Sequence, residues 1–373
     1  MTGRWVSRAS ERGAYVVGLA CLGLLALLSG CPPAEQQPIR VSVNQGNGGR
    51  VRTPEEVLEL AKAEAQLDWY TSLSDLDAEA FLSQFRRKYP FIRTTLERGG
   101  SFTIAEKVTT EITSGRVLAD VLHLLDPATF VGLRNQAALL YYDSPAARDI
   151  PAQYKDEGYW VGMRAVTLGM AYDPQRLKKE EAPQRWQDLL QGRFRGKVGL
   201  KDAETAGAAY ALVFLLRERY GTAFLEGLGA QRPNIYKTVS QMQEALRRGE
   251  ITVAAGDVGL SEGEGAEGAG ELVFVWPKDG VPMMVGPVAI LAGAPHPNCA
   301  RLFEDFLLSA EGQQVVVRQL GDYSLRPNTG AAAGRLPLEQ LRLILPTAGW
   351  TDYADKRDLL WKEFSDLMGA GGE

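Results

Sequence analysis

Several turns along the chain place hydroxyls, carboxylates or bare backbone where a strand gives way to a helix. The fullest runs from Gly196 to Leu216. A short strand, Lys197 to Leu200, is followed by a turn through Lys201 to Glu204, and a helix enters at Thr205. Threonine caps a helix well, and the small residues behind it, Ala206 and Gly207, let another group approach the backbone. The first turn of such a helix offers unpaired N–H groups and the positive end of the dipole, a site for an anion or polar oxygen. Taken singly, this is an ordinary strand-to-helix turn of an α/β protein. Similar turns recur at Ser72 and Leu73, at Gly100 and Ser101, at Asp126 and at Asp257. Their chemistry is binding: N–H and hydroxyl groups at Ser74, Ser101 and Thr205 hold an anionic end. Asp257, with Asp126 or Glu204, pairs with a cationic end such as an amine. Gly286 completes the proposed set. No basic residue of this cleft stands out, so backbone donors must do most of the neutralising.

The elements between these turns alternate. Thr53-Pro54-Glu55-Glu56 starts a helix that runs to about Glu64. Leu67 to Thr71 reads as a strand, Asp77 to Tyr89 as a helix, Phe91 to Leu96 as a strand, Ile104 to Ser114 as a helix and Asp120 to Leu124 as a strand. Short crossovers of this kind imply a parallel sheet with helices on its faces, and ligands bind outside the carboxyl ends of such strands. Val166 to Tyr172 is a strand ending at Asp173-Pro174, read as a passage between lobes. A second series follows, with strands at Lys197–Leu200, Asn234–Tyr236 and Ile251–Ala255, a long helix to about Arg219 and another at Ser240–Arg248. Leu272 to Trp276 returns the chain, Val288 to Ala292 is a further strand, Cys299 to Leu308 is a helix, and an amphipathic helix lies around Lys356 to Met368. The expected fold class is α/β with two lobes, each a mostly parallel sheet flanked by helices, joined by hinge strands. The expected divisions are 53–170 for the first lobe, with 277–325 returning to it, 171–276 for the second, and 326–373 for a C-terminal helical segment.

The chain has 373 residues, 45% hydrophobic and 23% charged, ample for two lobes. Its net charge of −5 gives no basic surface, which argues against a nucleic-acid partner. Arg4, Arg8 and Arg12 precede an apolar run, Tyr15 to Leu28, too short for a comfortable membrane span. Leu28-Ser29-Gly30-Cys31 then resembles a bacterial lipobox, which makes residues 1–30 a signal peptide and Cys31 the lipidated residue. Residues 31–52 are rich in Gln, Pro, Asn and Gly and read as a flexible tether. Of three cysteines only Cys299 then remains, so the mature chain has no intramolecular disulfide, and Cys299 is expected to be packed and inert.

The order of these features resembles the solute-binding proteins of ABC importers, in the group that includes the ferric-iron binding proteins. The resemblance covers the chain from about Leu67 to the C-terminal helix. It is carried by Trp69-Tyr70-Thr71-Ser72, Arg98-Gly99-Gly100-Ser101, Arg195 to Leu200, Gly293 to Asn298, Phe306 to Gln313, and Tyr323-Ser324-Leu325-Arg326-Pro327-Asn328. It implies two α/β lobes that close on a solute and deliver it to a membrane permease. The solute it implies is ferric iron; the helix starts at Ser74, Ser101 and Thr205 point instead to a small organic anion such as a phosphonate, a phosphate ester or a carboxylate. Iron-binding relatives commonly carry neighbouring tyrosines just after the strand that is here Ile251 to Ala255; this chain has Gly256-Asp257-Val258-Gly259 there. Tyr323, placed by the resemblance, is the candidate phenolate ligand if iron binds. Tyr141-Tyr142 reads as a packed pair, His123 as a core residue, and His296 as part of a surface turn. The expected partners are a small solute or metal ion, an ABC permease and the membrane through the lipid; a monomer without cofactor is expected, in the bacterial cell envelope. An enzyme is disfavoured, because the two histidines lie near no Ser or Cys nucleophile motif and no metal-ligand cluster is apparent. A solute-sensing lipoprotein for a membrane signalling partner would look the same in sequence.

Overall fold

A computed structural model describes residues 53–203, 207–258 and 272–369. Thr53 caps α1 (Pro54–Glu64) through a capping box with Glu56, and Pro54 sits at the first position. The chain then alternates: β1 (Gln66–Thr71), α2 (Asp75–Lys88), β2 (Arg93–Arg98), α3 (Ser101–Thr113), β3 (Val121–His123) and α4 (Pro127–Asn135). A short β4 (Lys155–Asp156) leads into β5 (Trp160–Thr167) and β6 (Gly169–Tyr172). The second series is β7 (Val198–Lys201), α5 (Gly207–Tyr220), α6 (Thr222–Ala230), β8 (Asn234–Tyr236), α7 (Val239–Arg248), β9 (Val253–Gly256) and β10 (Val273–Val275). The return comprises β11 (Val281–Ile290), α8 (Pro297–Leu308), α9 (Ala310–Arg318), β12 (Leu343–Ile344), α10 (Gly349–Asp355) and α11 (Arg357–Met368).

Two sheets result. The first runs β2-β1-β3-β11-β5-β4, with β12 added beside β11. β1, β2 and β3 are parallel, while β11 runs antiparallel to both β3 and β5. The second runs β10-β6-β9-β7-β8, with β7, β8 and β9 parallel, β6 reversed, and β10 antiparallel to β6 and so running in the direction of β9. The fold is the expected one, two α/β lobes joined by hinge strands. The chain crosses between sheets at Leu168 and returns between β10 and β11. At the crossing the strands approach so closely that a side chain on Gly169 would overlap the Phe274 ring and the Val275 carbonyl.

Each lobe has apolar layers on both faces of its sheet. Trp69, Phe81, Phe85, Phe303 and Phe306 fill one face of the first, beneath α2 and α8. Tyr70, Ile104, Val108, Phe130 and Leu133 fill the other, beneath α3 and α4. In the second lobe Trp186, Phe214, Leu225, Leu360, Phe364 and Met368 form one layer and Met242, Ala245, Leu246 and Ile251 the other. Each such side chain contributes about 1.5–3 kcal/mol on burial. α11 supplies three residues of that layer, so it is part of the second lobe's core.

Several boundaries differ from expectation. β5 begins at Trp160 rather than near Val166, because it is buried on both faces and shows no polar alternation. β11 spans ten residues from Val281 for the same reason. α3 begins at Ser101 rather than Ile104. α4 and α6 were not expected at all.

Candidate solute-binding site

The first sheet brings most of the expected residues to one edge, in the order of its strands. Gly100 caps α3 at the end of β2 without any side-chain hydrogen bond, and Ser101 is the helix's first residue. Beside it at the end of β1, the Ser72 amide donates to the His123 carbonyl, and the Ser72 hydroxyl accepts from the Leu125 amide at 3.1 Å. That hydroxyl therefore ties β1 to β3. Leu73 turns its side chain into the first lobe's core, its amide bonded to Thr71 Oγ1 and its carbonyl to Arg98 Nε. Asp126 follows β3 and is fully buried. It caps α4, accepting from the Thr129 amide at 3.3 Å and the Thr129 hydroxyl at 2.5 Å. Gly286 lies opposite Arg164 in the β11–β5 register. A β-carbon there would stand 3.1 Å from His123 Nε2 and 3.2 Å from Arg164 Cγ.

Behind this edge runs a buried polar chain. Arg164 Nε donates to His123 Nε2 at 3.4 Å, which leaves the proton on Nδ1 to meet Thr71 Oγ1 at 2.8 Å. Arg164 also pairs with Asp322. Burial, aided by the Arg164 charge, pushes the His123 pKa well below its ordinary value, so the ring is neutral. Burial raises the Asp322 pKa; Arg164 opposes that, while Asp257 adds to it across the gap from the second lobe. Asp257 directly follows β9 and Gly256. Tyr323 is buried, bridges to Ala165, donates its hydroxyl to the Leu336 carbonyl at 3.1 Å and lies under the Arg335 guanidinium.

Thr205 and Ala206 lie outside the described residues, as do Glu204 and Cys31. The next residue, Gly207, opens α5 against the Leu125 carbonyl, so the lobes meet there backbone to backbone.

Two basic residues correct the expectation of a cleft without cations. Arg164 is one. The other is Arg357, the first residue of α11, whose Nη2 meets the Asp126 oxygens at 2.6 and 2.7 Å. Its guanidinium carbon lies 5.3 Å from the Phe102 ring, 5.7 Å from Tyr210 and 5.6 Å from Trp361. The signal available in sequence was Arg357 and Trp361 one turn apart on an amphipathic helix; nothing local linked them to Asp126.

Two further corrections concern His296. It is half-buried at the start of α8, its ring 2.9 Å from Asp120. With Asp68 it forms a set of three metal-capable side chains, their ligand atoms within 4.8 Å of one another, which the sequence did not reveal. They stand at the amino ends of β1 and β3, away from the strand ends described above. Asp120 is already occupied there: it accepts from the Asp68 and His296 amides as well as the ring.

Two α/β lobes joined by hinge strands are the architecture of a solute-binding protein. Residues 118–346 match the model of the bacterial extracellular solute-binding protein family, and the chain belongs to that family. A Haemophilus influenzae protein without an assigned function is 30% identical over 287 residues, 73% of this chain and 81% of that one. The Fe(3+)-binding periplasmic protein of Serratia marcescens is 24% identical over 265 residues, covering 67% and 76%. Among solved structures, the periplasmic binding protein AfuA from Actinobacillus pleuropneumoniae, with fructose-6-phosphate bound, superposes with a TM-score of 0.70 at 25% identity, over 82% of this chain and 98% of that one. The expected membership, among ABC-importer solute-binding proteins in the group with ferric-iron binding proteins, is borne out.

Proposed function

We propose that this chain is the lipid-anchored solute-binding component of an ABC importer, tethered through Cys31 and closing its lobes on a small organic anion. The observation that carries the solute class is the contrast among three neighbouring helix starts. Ser74 caps α2 and Asp126 caps α4, each with its own side chain, whereas α3 starts at Gly100 with none. The first-turn N–H groups of α3 are therefore left for a ligand oxygen. Ser72, Leu73, Gly100, Ser101, Asp126 and Gly286 are the proposed first-lobe members of this site and Asp257 the proposed second-lobe member; Thr205 and Ala206, outside the described residues, are proposed from the sequence alone. The fructose-6-phosphate held by AfuA supports a solute of this charge.

Ferric iron is the second reading, supported by the Serratia relative, with Tyr323 as a ligand. Thermal melting of the soluble body against ferric citrate, phosphonates, phosphate esters, polyamines and dicarboxylates separates the two. A true solute at a hundred times its dissociation constant adds about 2.7 kcal/mol, a rise of several degrees. An organic anion raising Tm without iron is the expected result. A shift with ferric iron and a visible charge-transfer colour overturns it.

A further inference from the structure

Arg357 and Trp361 stand one turn apart on α11 and share an environment. The Trp361 and Phe102 rings meet edge to face at 5.6 Å, and the Arg357 guanidinium lies against both. Phe102 is the second residue of α3, so this face of α11 adjoins the helix start that Gly100 leaves uncapped. The Arg357 side chain is 17% exposed and that of Asp126 not at all. Asp126 engages only Nη2 and has its oxygens filled by Thr129 and Arg357 together. Arg357 Nε and Trp361 Nε1 are both buried and have no acceptor among the described residues. A buried donor without an acceptor is costly, the more so on a charged group, and needs an explanation. The aromatic rings hold the cation by their faces but cannot satisfy its N–H groups.

We infer that Arg357 and Trp361 are solute-binding residues, their spare donors forming with the first turn of α3 an oxyanion subsite for the phosphate, phosphonate or carboxylate group of the solute. Asp126 is then a positioning residue: it fixes the guanidinium through Nη2 and leaves Nε without an acceptor. This rests on the anionic-solute reading above and adds to it the residues that select the anion. Because α11 is packed in the second lobe and Phe102 belongs to the first, an oxygen held here touches both lobes and favours their closed arrangement.

The test is titration calorimetry of the full soluble chain with inorganic phosphate, fructose 6-phosphate and citrate, comparing wild type with Arg357→Gln, Arg357→Lys and Trp361→Phe. For whichever anion wild type binds, R357Q is expected to weaken affinity roughly ten- to a hundred-fold and W361F about five-fold. R357K should fall between wild type and R357Q, since lysine keeps a charge but not the fork. Unchanged affinity in both R357Q and W361F overturns the subsite while leaving the anionic-solute reading in place. Binding of none of the three anions by wild type overturns that reading and the subsite with it. If the variants do not fold, the wild-type indole ¹H–¹⁵N resonance of Trp361 decides: a shift at anion saturation supports the subsite, and an unmoved resonance refutes it.

Discussion

The carbonyl oxygen of Leu125, beyond the end of β3, occupies the space that a side chain on Gly207 would need. Gly207 opens α5 on the other lobe, so one missing methyl group allows the two walls to touch. Gly207→Ala should hold the lobes apart and weaken solute affinity about ten-fold or more, an overpacking cost of roughly 1–3 kcal/mol. Small-angle scattering should show a larger radius of gyration for the solute-loaded variant than for loaded wild type. Equal radii and equal affinities would sink the idea.

His123 makes stability depend on pH. Its folded pKa lies well below its unfolded value of about 6.5, so between the two the unfolded chain binds the extra proton. Stability is then full above about pH 6.5 and falls as pH drops below it, by up to about 1.4 kcal/mol per pH unit. Buried Glu304 has the opposite sign, its folded pKa being raised by burial, so it favours the fold as pH falls toward its ordinary value. The comparison must therefore be made against His123→Gln. Chemical denaturation at pH 7.5 and 5.5 should show a smaller loss for the variant than for wild type, and equal losses would refute the assignment.

Asp120 pins β1 and β3 to the start of α8 with a carboxylate that is fully buried and accepts two amides and a ring nitrogen. Asp120→Ala should cost about 3 kcal/mol in urea denaturation, since three donors lose their partner. His296→Ala should cost about 1 kcal/mol and leave solute affinity unchanged, because the pin lies at the amino ends of the strands. A change of affinity in His296→Ala would link this cluster to the solute instead.

Cys299 is fully buried, its Sγ facing the Ala61 carbonyl at 3.3 Å, and burial pushes its pKa up to about 12, helped by Glu64. The thiolate is the reactive species, so the native protein should resist iodoacetamide for hours and react promptly in denaturant. Fast alkylation of the folded chain would contradict this packing.

The alternation of strands and helices was legible because each unit carries its own signals: Thr53 and Pro54 at one start, Ser74 before Asp77 at another. The strand ends were legible for the same reason. Elements buried on both faces were not, since Trp160 to Thr167 lacks the polar alternation that marks a strand. α4 escaped notice although Asp126-Pro127 is a cap followed by a first-position proline. The cations escaped notice for a different reason. Arg357 and Asp126 are 231 residues apart, and an arginine beginning an amphipathic helix looks like any solvated charge until its partner is known. Arg164 was hidden inside an apolar strand, where only the register with Gly286 shows what it faces.

The route of the chain also governs how it can fold. β11 must pair with β3, placing Val288 beside His123, so the first sheet cannot be completed until the whole second lobe has been made. The second lobe in turn waits for Leu360, Phe364 and Met368 at the far end of the sequence. Neither half has a closed core while the chain is still emerging, and both depend on contacts between distant segments. Such a topology favours slow acquisition of the native state. Wiring of this kind leaves both cores unfinished until residues from β11 through α11 are available.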